Sequence, residues 1–206
     1  MTGAVVLAAG ASSRMGFPKP LLPLPRGETF LSAIAGSLRR AGVLGPIVVV
    51  TGHRPTAIER HARALGLSVA RNPRPQEGQL SSARRGLRRA LSLGATELLL
   101  WPCDAPRIRV STLRRLLASK PPAVPTHRGV SGHPLWLDAA AASRILGARR
   151  ARSLREALRG ARPRALAVGD PGILDNVNGP EAYAAIAGPR LAGLLPRPGQ
   201  PKSLSR

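Results

Sequence analysis

Three charged side chains in this sequence have the chemistry and the surroundings that a phosphate-binding site needs. Arg14 and Lys19 lie in the loop LAAGASSRMGFPKPLLP (residues 7–23), and Asp104 follows the apolar run ELLLWPC. The guanidinium of an arginine matches phosphate oxygens, and a lysine supplies a point charge that can follow charge development on a transferring phosphoryl group. A carboxylate after a strand can hold a divalent cation such as Mg²⁺, together with substrate phosphates. We therefore take Arg14, Lys19 and Asp104 as candidate catalytic residues.

The first residues of this loop favour a close approach between the backbone and a ligand. Residues 8–10 carry little or no side chain, and the N–H groups of such a loop can face an anion. Two familiar phosphate loops are excluded. A Walker A loop needs four residues between its glycines, whereas five separate Gly10 from Gly16, and the G-x-G-x-x-G pattern is missing. A small, basic strand-to-helix turn without a ligand remains the alternative for the loop taken alone.

Hydrophobic periodicity predicts the elements that position these residues. Short apolar runs alternate with stretches of helical spacing, which indicates a mostly parallel sheet covered by helices. The predicted strands are Ala4–Leu7, Pro46–Thr51, Leu67–Ala70, Glu97–Trp101, 123–125, 134–137 and Ala165–Val168. The predicted helices are Thr29–Ala41, Pro55–Leu65, Leu80–Leu93, Ser111–Ser119, Ala139–Leu146, Ser153–Arg159 and Pro180–Ala187. The predicted fold class is α/β, a three-layer α/β/α sandwich with a Rossmann-like sheet, whose ligands bind beyond the carboxyl ends of the strands.

Length and composition predict one domain with a basic tail. The 206 residues suit a single core, which we assign to residues 1–188, and residues 189–206 are predicted to form a disordered tail. The formal net charge of +22 suggests nucleic-acid binding. However, lysine occurs only at positions 19, 120 and 202, and aromatic residues are few, so a composition bias toward arginine is the better explanation. Nucleic acid is therefore not expected as a partner.

Cysteine, histidine and hydropathy patterns exclude several other classes. A lone Cys103 rules out a disulfide framework within the chain, and the four histidines show no metal-binding spacing. No apolar run approaches the roughly 18 residues that a membrane span needs, so no membrane partner is expected. The apolar stretch 4–11 has no basic residue before it and is read as a strand instead of a signal peptide, which predicts a cytoplasmic protein.

The opening loop resembles the signature of the MobA-like NTP transferases, the molybdenum cofactor cytidylyl- and guanylyltransferase type. That signature runs Leu-x-x-Gly-x-x-x-Arg-Met-Gly, a short gap, Pro-Lys and Leu-Leu-Pro, and every fixed position is filled here. Similar stretches follow in the family's order: VVVTGH (48–53), NPRPQEGQLSSARRGL (72–87), PCDAPRI (102–108), GVSGHPLWL (129–137) and DNVNGPEAY (175–183). The resemblance covers residues 4–187.

This resemblance implies a nucleotide-diphospho-sugar transferase fold and a nucleotidyltransferase that depends on Mg²⁺, with Mn²⁺ as a substitute. The enzyme would use an NTP and a small phosphorylated acceptor, and a molybdoenzyme or its chaperone is a candidate partner. The implied metal ligands are Asp104 and Asn178, and the implied acceptor-binding residues are Gly132 and His133. The implied nucleotide-binding residues are Leu7, Ala8, Ala9, Gly10, Arg14, Lys19, Gly78 and Ser81.

The motifs LAAG and FPK are more similar to the cytidylyl branch, which favours CTP with molybdopterin as the acceptor. A guanylyltransferase or a sugar-phosphate nucleotidyltransferase is the alternative within the family. Gly179 and Ala182 depart from the usual Thr and Asp of the last motif, which leaves an inactive, polyanion-binding relative as a second hypothesis. The basic run Arg144–Arg164 matches the family's acceptor loop only in part and is read as a solvated helix face.

Each implied site residue also has a plain structural reading. Asp104 can serve as a turn residue before Pro106, and Asn176 and Asn178 are common in turns before a helix. Gly78 and the serines after it can simply start and cap the helix from Leu80. His133 can be an exposed loop residue.

Overall fold

A computed structural model of the chain describes residues 1–53, 55–193 and 195, and its centre is a mostly parallel sheet of eight strands. The strand order is β3-β2-β1-β4-β7-β5-β6, with β8 beside β5. The strands are β1 (Thr2–Leu7), β2 (Ile47–Thr51), β3 (Ser68–Arg71), β4 (Glu97–Pro102), β5 (Ala123–His127), β6 (Val130–Ser131), β7 (Leu135–Asp138) and β8 (Arg164–Ala167). Strands β1 to β4 are mutually parallel, whereas β7 runs antiparallel to β4.

Helices cover both faces of this sheet, which confirms the predicted three-layer α/β/α architecture. They are α1 (Phe30–Ala41), α2 (Pro55–Ala64), α3 (Gln79–Ser92), α4 (Val110–Leu117), α5 (Ala139–Gly147), α6 (Leu154–Ala157), α7 (Pro180–Ala187) and α8 (Pro189–Ala192). Alternate residues of β1 point to opposite faces. Ala4 and Val6 pack with α1, α2 and α4, whereas Val5 and Leu7 pack with α3, α5 and α6. Both faces are therefore buried, as the continuous apolar strands require.

The order of the strands reverses between β1 and β4, and this reversal opens a crevice at their carboxyl ends. The two strands pair directly, with Leu7 opposite Pro102. The loop that follows Leu7 and the turn that carries Asp104 therefore leave the sheet side by side. Such a switch point is where open α/β sheets bind ligands.

The start of α4 differs from its sequence prediction. Serine is a favoured cap residue, so a helix predicted over Ser111–Ser119 implies that Ser111 caps it. In the structure, Ser111 lies inside the helix and the cap position belongs to Arg109. The carboxylate of Asp170, buried and distant in sequence, accepts hydrogen bonds from the Arg109 N–H and the Thr112 hydroxyl, both at 2.8 Å. A long-range partner thus anchors the helix where a local cap was predicted.

The first residues of the predicted tail are ordered. Pro189–Ala192 forms the short helix α8, and Leu191, Ala192 and Leu195 pack against a small apolar cluster around Phe30 and Tyr183. Position 194 and residues 196–206 lie outside the described residues, so the disordered tail stays a prediction there. None of the described helices is long and apolar enough to cross a membrane.

Helix α3 lies so close to the sheet that one position tolerates only glycine. A Cβ at Gly86 would lie 2.2 Å from Val5 Cγ1 and 2.7 Å from Val50 Cγ2. Both valines are stiff, so neither side chain can rotate away cheaply. We expect Gly86→Ala to lower the free energy of unfolding by about 1–3 kcal/mol, since overpacking outweighs the gain in helix propensity.

The matched control is Gly36→Ala in α1, where the added Cβ would meet only the flexible end of Arg40, at 3.1 Å. There the propensity gain of up to about 1 kcal/mol should dominate. Urea unfolding of both variants checks the prediction, and equal effects at the two positions would contradict it.

Candidate active site

The loop after β1 folds back on itself and forms the floor of a cavity. The Ala8 N–H donates to the Val50 carbonyl at 2.9 Å, and the chain then turns at Ser12, whose backbone is left-handed at φ 52°. The Ser12 hydroxyl accepts a hydrogen bond from the Lys19 N–H at 3.1 Å, which closes the loop. A Cβ built on Gly10 would meet no atom within 4 Å, so the space beside this residue is open.

This cradle cavity has a volume of about 380 Å³ and gathers most of the predicted nucleotide and metal residues. Its lining includes Leu7, Ala8, Ala9, Gly10, Arg14, Lys19, Gly78, Asp104 and Asn178. Pro75, Gln79 and Ser82 also line it and were not predicted as site residues. They belong to the stretch PQEGQLSS (75–82), whose resemblance to the family's nucleotide-side motif could have indicated Gln79 and Ser82 as well as Gly78 and Ser81.

Lys19 connects the two segments that carry Asn178 and Asp104 on the wall of the cradle cavity. The Lys19 ammonium donates to the Asn178 Oδ1 at 2.5 Å and lies 3.9 Å from the Asp104 carboxylate. Asn178 in turn donates to the side-chain oxygen of Asn176. The side chains of Lys19 and Asp104 are only 15% and 23% exposed, so their charges are less screened than surface charges. Arg14 is exposed at the rim of the same cavity.

The loop that carries Asn178 is fastened to the turn that carries Asp104. The Val177 N–H donates to the Asp104 carbonyl at 3.0 Å. Arg107 donates to both oxygens of Asp175 at 2.8 Å, and this hydrogen bonding raises the pKa of the arginine. A paired, two-pronged contact fixes orientation as well as distance. Asp175 and Arg107 thus hold Asn178 in register with Lys19 and Asp104.

We expect Arg107→Ala to lower the kcat/KM of the nucleotidyl transfer that the resemblance implies about tenfold, because a small displacement of a positioning loop is costly for such a reaction. Asp175→Asn should give a similar but smaller loss. Arg63→Ala is the control, since it removes an exposed pair with Glu59 on α2, away from the cavity. Steady-state kinetics check the prediction, and an Arg107→Ala enzyme as active as the Arg63→Ala enzyme would contradict it.

The thiol beside Asp104 is not a nucleophile. Burial raises the pKa of Cys103 to about 12, and the neighbouring Asp104 carboxylate adds to this effect. The thiol therefore stays protonated at neutral pH, and thiolate chemistry is excluded. Cys103 contributes an apolar wall to the cradle cavity.

Neither serine after Gly78 caps α3, and a predicted binding residue turns away from the cavity. The amide of Asn72 donates to the hydroxyls of Ser81 and Ser82 at 2.8 and 2.9 Å. The cap position is Gly78 itself, with φ 88° and no side-chain cap. Ser82 lines the cradle cavity, whereas Ser81 is absent from its lining and donates instead to backbone carbonyls of Arg74 and Gly78.

The two predicted acceptor residues lie outside the cradle cavity, in an adjoining space. This bridging cavity, of about 460 Å³, is lined by Gln79, Pro102, Asp104, Gly132 and His133, among others. Gly132 has a packing role, because a Cβ there would lie 2.3 Å from the Ile173 carbonyl oxygen. Burial lowers the pKa of His133, against the opposing charge of Asp104, so the imidazole is neutral at neutral pH.

The oxygen atoms around Lys19 fit a hard divalent cation. Mg²⁺ commonly takes one or two protein oxygens and completes its shell with water and substrate phosphates. Asp104 supplies a partly exposed carboxylate in the cavity, and Asn178 an amide oxygen that is now bonded to Lys19. Within the described residues, no group of three or more His, Cys, Asp or Glu side chains could hold a metal. The donor set thus suits a cation shared with a polyphosphate, and not an all-protein cage.

Known proteins resemble this chain in sequence. The molybdenum cofactor cytidylyltransferase of Escherichia coli is 28% identical over 137 residues, 65% of this chain and 68% of its own. The purine catabolism protein PucB of Bacillus subtilis is 29% identical over 196 residues, 88% of this chain and 94% of its own. A probable molybdenum cofactor guanylyltransferase of Rhodopirellula baltica is 37% identical over 117 residues, 55% of this chain and about half (53%) of its own.

Solved structures resemble this chain as well. A nucleotidyl transferase from Methanothermobacter thermautotrophicus superposes with a TM-score of 0.76 at 28% identity, over 91% of this chain and 96% of its own. Rv0371c from Mycobacterium tuberculosis, in complex with manganese, has a TM-score of 0.67 at 25% identity, over 90% of this chain and 97% of its own. These matches confirm the expected nucleotide-diphospho-sugar transferase fold.

The family model of the MobA-like NTP transferase domain matches residues 4–166, most of the chain. The enzymes of this family are divalent-metal-dependent nucleotidyltransferases that use a nucleoside triphosphate and a phosphorylated acceptor. In this chain, Lys19, Asp104 and Asn178 lie together in the cradle cavity after β1. The chain belongs to the MobA-like NTP transferase family and is a nucleotidyltransferase.

Proposed function

We propose that this enzyme transfers CMP from CTP to the terminal phosphate of molybdopterin, with release of pyrophosphate. The observation that carries the proposal is the meeting of Lys19, Asp104 and Asn178 in one cavity beside an open phosphate loop. The likeness to the cytidylyltransferase of Escherichia coli supports the choice of both substrates.

In this reaction, an oxygen of the acceptor phosphate attacks the α-phosphorus of the nucleotide. A new phosphorus–oxygen bond forms, the bond from the α-phosphorus to the oxygen bridging toward the β-phosphorus breaks, and pyrophosphate leaves with that oxygen. No base is needed, because the attacking phosphate oxygen is already ionised. The protein therefore contributes mainly position and charge.

The side chains of the cradle cavity divide this work. Arg14, exposed at the rim, binds the outer phosphates, and Lys19 neutralises charge that builds up at the α-phosphate. Asp104, with Asn178, would hold Mg²⁺, or Mn²⁺ in its place. When bound, such a cation neutralises phosphate oxygens as a Lewis acid. Gly78 and Ser82 face the nucleotide end of the cavity, and Gly132 and His133 face the acceptor.

GTP is the second candidate nucleotide, because a probable guanylyltransferase is 37% identical over part of the chain. The test is pyrophosphate release with Mg²⁺ and molybdopterin, with CTP, GTP, ATP and UTP in parallel. Release with CTP alone supports the proposal, and release with another nucleotide changes the base while keeping the reaction. If none supports release, direct NTP binding separates a different acceptor from an inactive, polyanion-binding relative.

A further inference from the structure

A cavity that the transfer chemistry does not use opens between α1, the start of α4 and α7. Its volume is about 520 Å³, within the range of roughly 300–1,000 Å³ that small-molecule sites occupy. Its walls come from residues 24–28, from α1, from residues 106–110 and from Ile186 of α7. No residue of this lining also lines the cradle or the bridging cavity. We name this separate space the rear cavity.

Three walls of the rear cavity continue segments that carry the residues of the catalytic cluster. Residues 24–28 follow the turn of Lys19, and residues 106–110 follow Asp104. Helix α7 follows the loop of Asn178. A ligand in the rear cavity would therefore contact all three segments at once, without touching the cradle cavity.

Positive charge dominates the polar lining of the rear cavity. The carboxylate of Glu28 opposes the guanidinium groups of four arginines, Arg26, Arg40, Arg107 and Arg109. Among the described residues, Arg26 has no hydrogen-bond or ion-pair partner, and Arg40 donates only to the Ser37 hydroxyl, at 3.3 Å. An anion can therefore bind Arg26 and Arg40 without displacing a carboxylate of the protein from either of them.

The rest of this lining is mainly apolar. It consists of the buried side chains of Leu24, Ala33, Pro106 and Ile108 and of the partly buried Val110 and Ile186. Aliphatic walls favour an apolar group over a hydrated ion. The rear cavity thus suits a small anion with an apolar body, which carries a phosphate or a carboxylate for the arginines.

Arg107 belongs both to the rear cavity and to the pair that fastens the loop of Asn178. Its contact with Asp175 uses two of the five N–H groups of a guanidinium, so three remain for a ligand. The Arg107 side chain is 46% exposed, whereas that of Asp175 is only 11% exposed. An anion in the rear cavity can therefore bind Arg107 from its open side while Asp175 keeps its two hydrogen bonds.

We propose that the rear cavity is a regulatory site for a small anion with an apolar body, and that its ligand stabilises the loop of Asn178 through Arg107 and Asp175. The bound anion fixes the guanidinium, and the guanidinium fixes the carboxylate of the loop. Asn178 is then held more firmly beside Lys19, which favours transfer because the cluster is better positioned. The ligand is neither nucleotide nor acceptor, so the inference goes beyond the proposed function.

The binding test follows the amide resonances of isotope-labelled protein by NMR, with phenyl phosphate as the probe. The amides of Ser37 and Ile108, both in the cavity wall, should shift, which separates this site from binding elsewhere. R26A/R40A should raise the dissociation constant measured at these amides at least about tenfold. R88A/R115A is the matched control and should leave it unchanged, because it removes the same charge from exposed positions outside this lining.

The coupling test follows hydrogen exchange of the Val177 N–H, which donates to the Asp104 carbonyl. Saturating phenyl phosphate should slow this exchange at least about fivefold, because the loop must open before the N–H can exchange and the ligand opposes opening. Asp175→Ala removes both acceptor oxygens of the pair with Arg107. In that variant the Ser37 and Ile108 amides should still shift, but the probe should no longer slow the exchange of Val177.

Both measurements are made without turnover, so a failure of the proposed function does not alter their outcome. The absence of shifts at Ser37 and Ile108, or equal losses of affinity in R26A/R40A and R88A/R115A, would overturn the site. Unchanged exchange of Val177 with the cavity occupied would overturn the regulatory role. Equal slowing in Asp175→Ala and in the unaltered protein would overturn the route through Arg107 and Asp175.

Discussion

Lys19→Met is expected to lower kcat for nucleotidyl transfer by about 100- to 1000-fold, the effect of removing one preorganised charge from a transition state. The Lys19 side chain is 15% exposed, and its ammonium contacts the Asn178 amide oxygen and lies 3.9 Å from the Asp104 carboxylate. A charge held there needs no reorganisation when the α-phosphate gains charge. Methionine keeps the length of the side chain and removes only the charge and its donors.

Whether the loss appears in kcat or in the CTP KM is as informative as its size. If Lys19 acts on charge that appears in the transition state, kcat falls while the CTP KM changes little. Lys120→Met is the control, because Lys120 is exposed after α4 and does not line the cradle cavity. Rapid-quench measurement of the transfer step checks the prediction. A raised CTP KM with normal kcat would assign Lys19 to ground-state binding instead.

The sequence was sufficient to predict the α/β architecture and most elements, because apolar strands and amphipathic helices have distinct periods. It also located the loop with Arg14 and Lys19 and the turn with Asp104, since both directly follow strong strand signals. The pairing of Leu7 with Pro102 then brings the two segments together. The signature loop and the fold therefore indicate the same site.

Contacts between distant segments were beyond sequence reasoning. The bonds from Asp170 to the start of α4, and from Arg107 to Asp175, join residues more than fifty positions apart. The resemblance implied Ser81 as a nucleotide-binding residue, yet it is Ser82 that lines the cradle cavity. Both serines accept from Asn72, and Ser81 in addition donates to the carbonyls of Arg74 and Gly78 in the preceding loop. In the sequence, Arg155, Arg159 and Arg162 could not be distinguished from the other arginines of the run Arg144–Arg164, and only the fold shows that these three line a cavity.

The second large effect is expected at Asp104. Asp104→Asn should lower kcat/KM by about 100- to 1000-fold, because the amide keeps the shape of the side chain but removes the negative charge that attracts a divalent cation. The Asp104 side chain is 23% exposed and lines the cradle cavity from the turn after β4. Its main-chain carbonyl, which accepts from Val177, is unaffected by the substitution, so the loop that carries Asn178 should keep its position.

Asp138→Asn is the matched control for Asp104→Asn. Asp138 caps α5 by accepting from the Ala141 N–H at 2.7 Å, and asparagine caps a helix equally well. Activity and thermal unfolding should therefore be unchanged in the control, whereas Asp104→Asn should lose activity at an unchanged unfolding temperature. Titration with Mn²⁺, followed by electron paramagnetic resonance in the presence of CTP, provides a readout separate from turnover. Weaker Mn²⁺ binding in Asp104→Asn alone would assign the carboxylate to the metal. Equal Mn²⁺ binding in both variants would restrict Asp104 to pairing with Lys19.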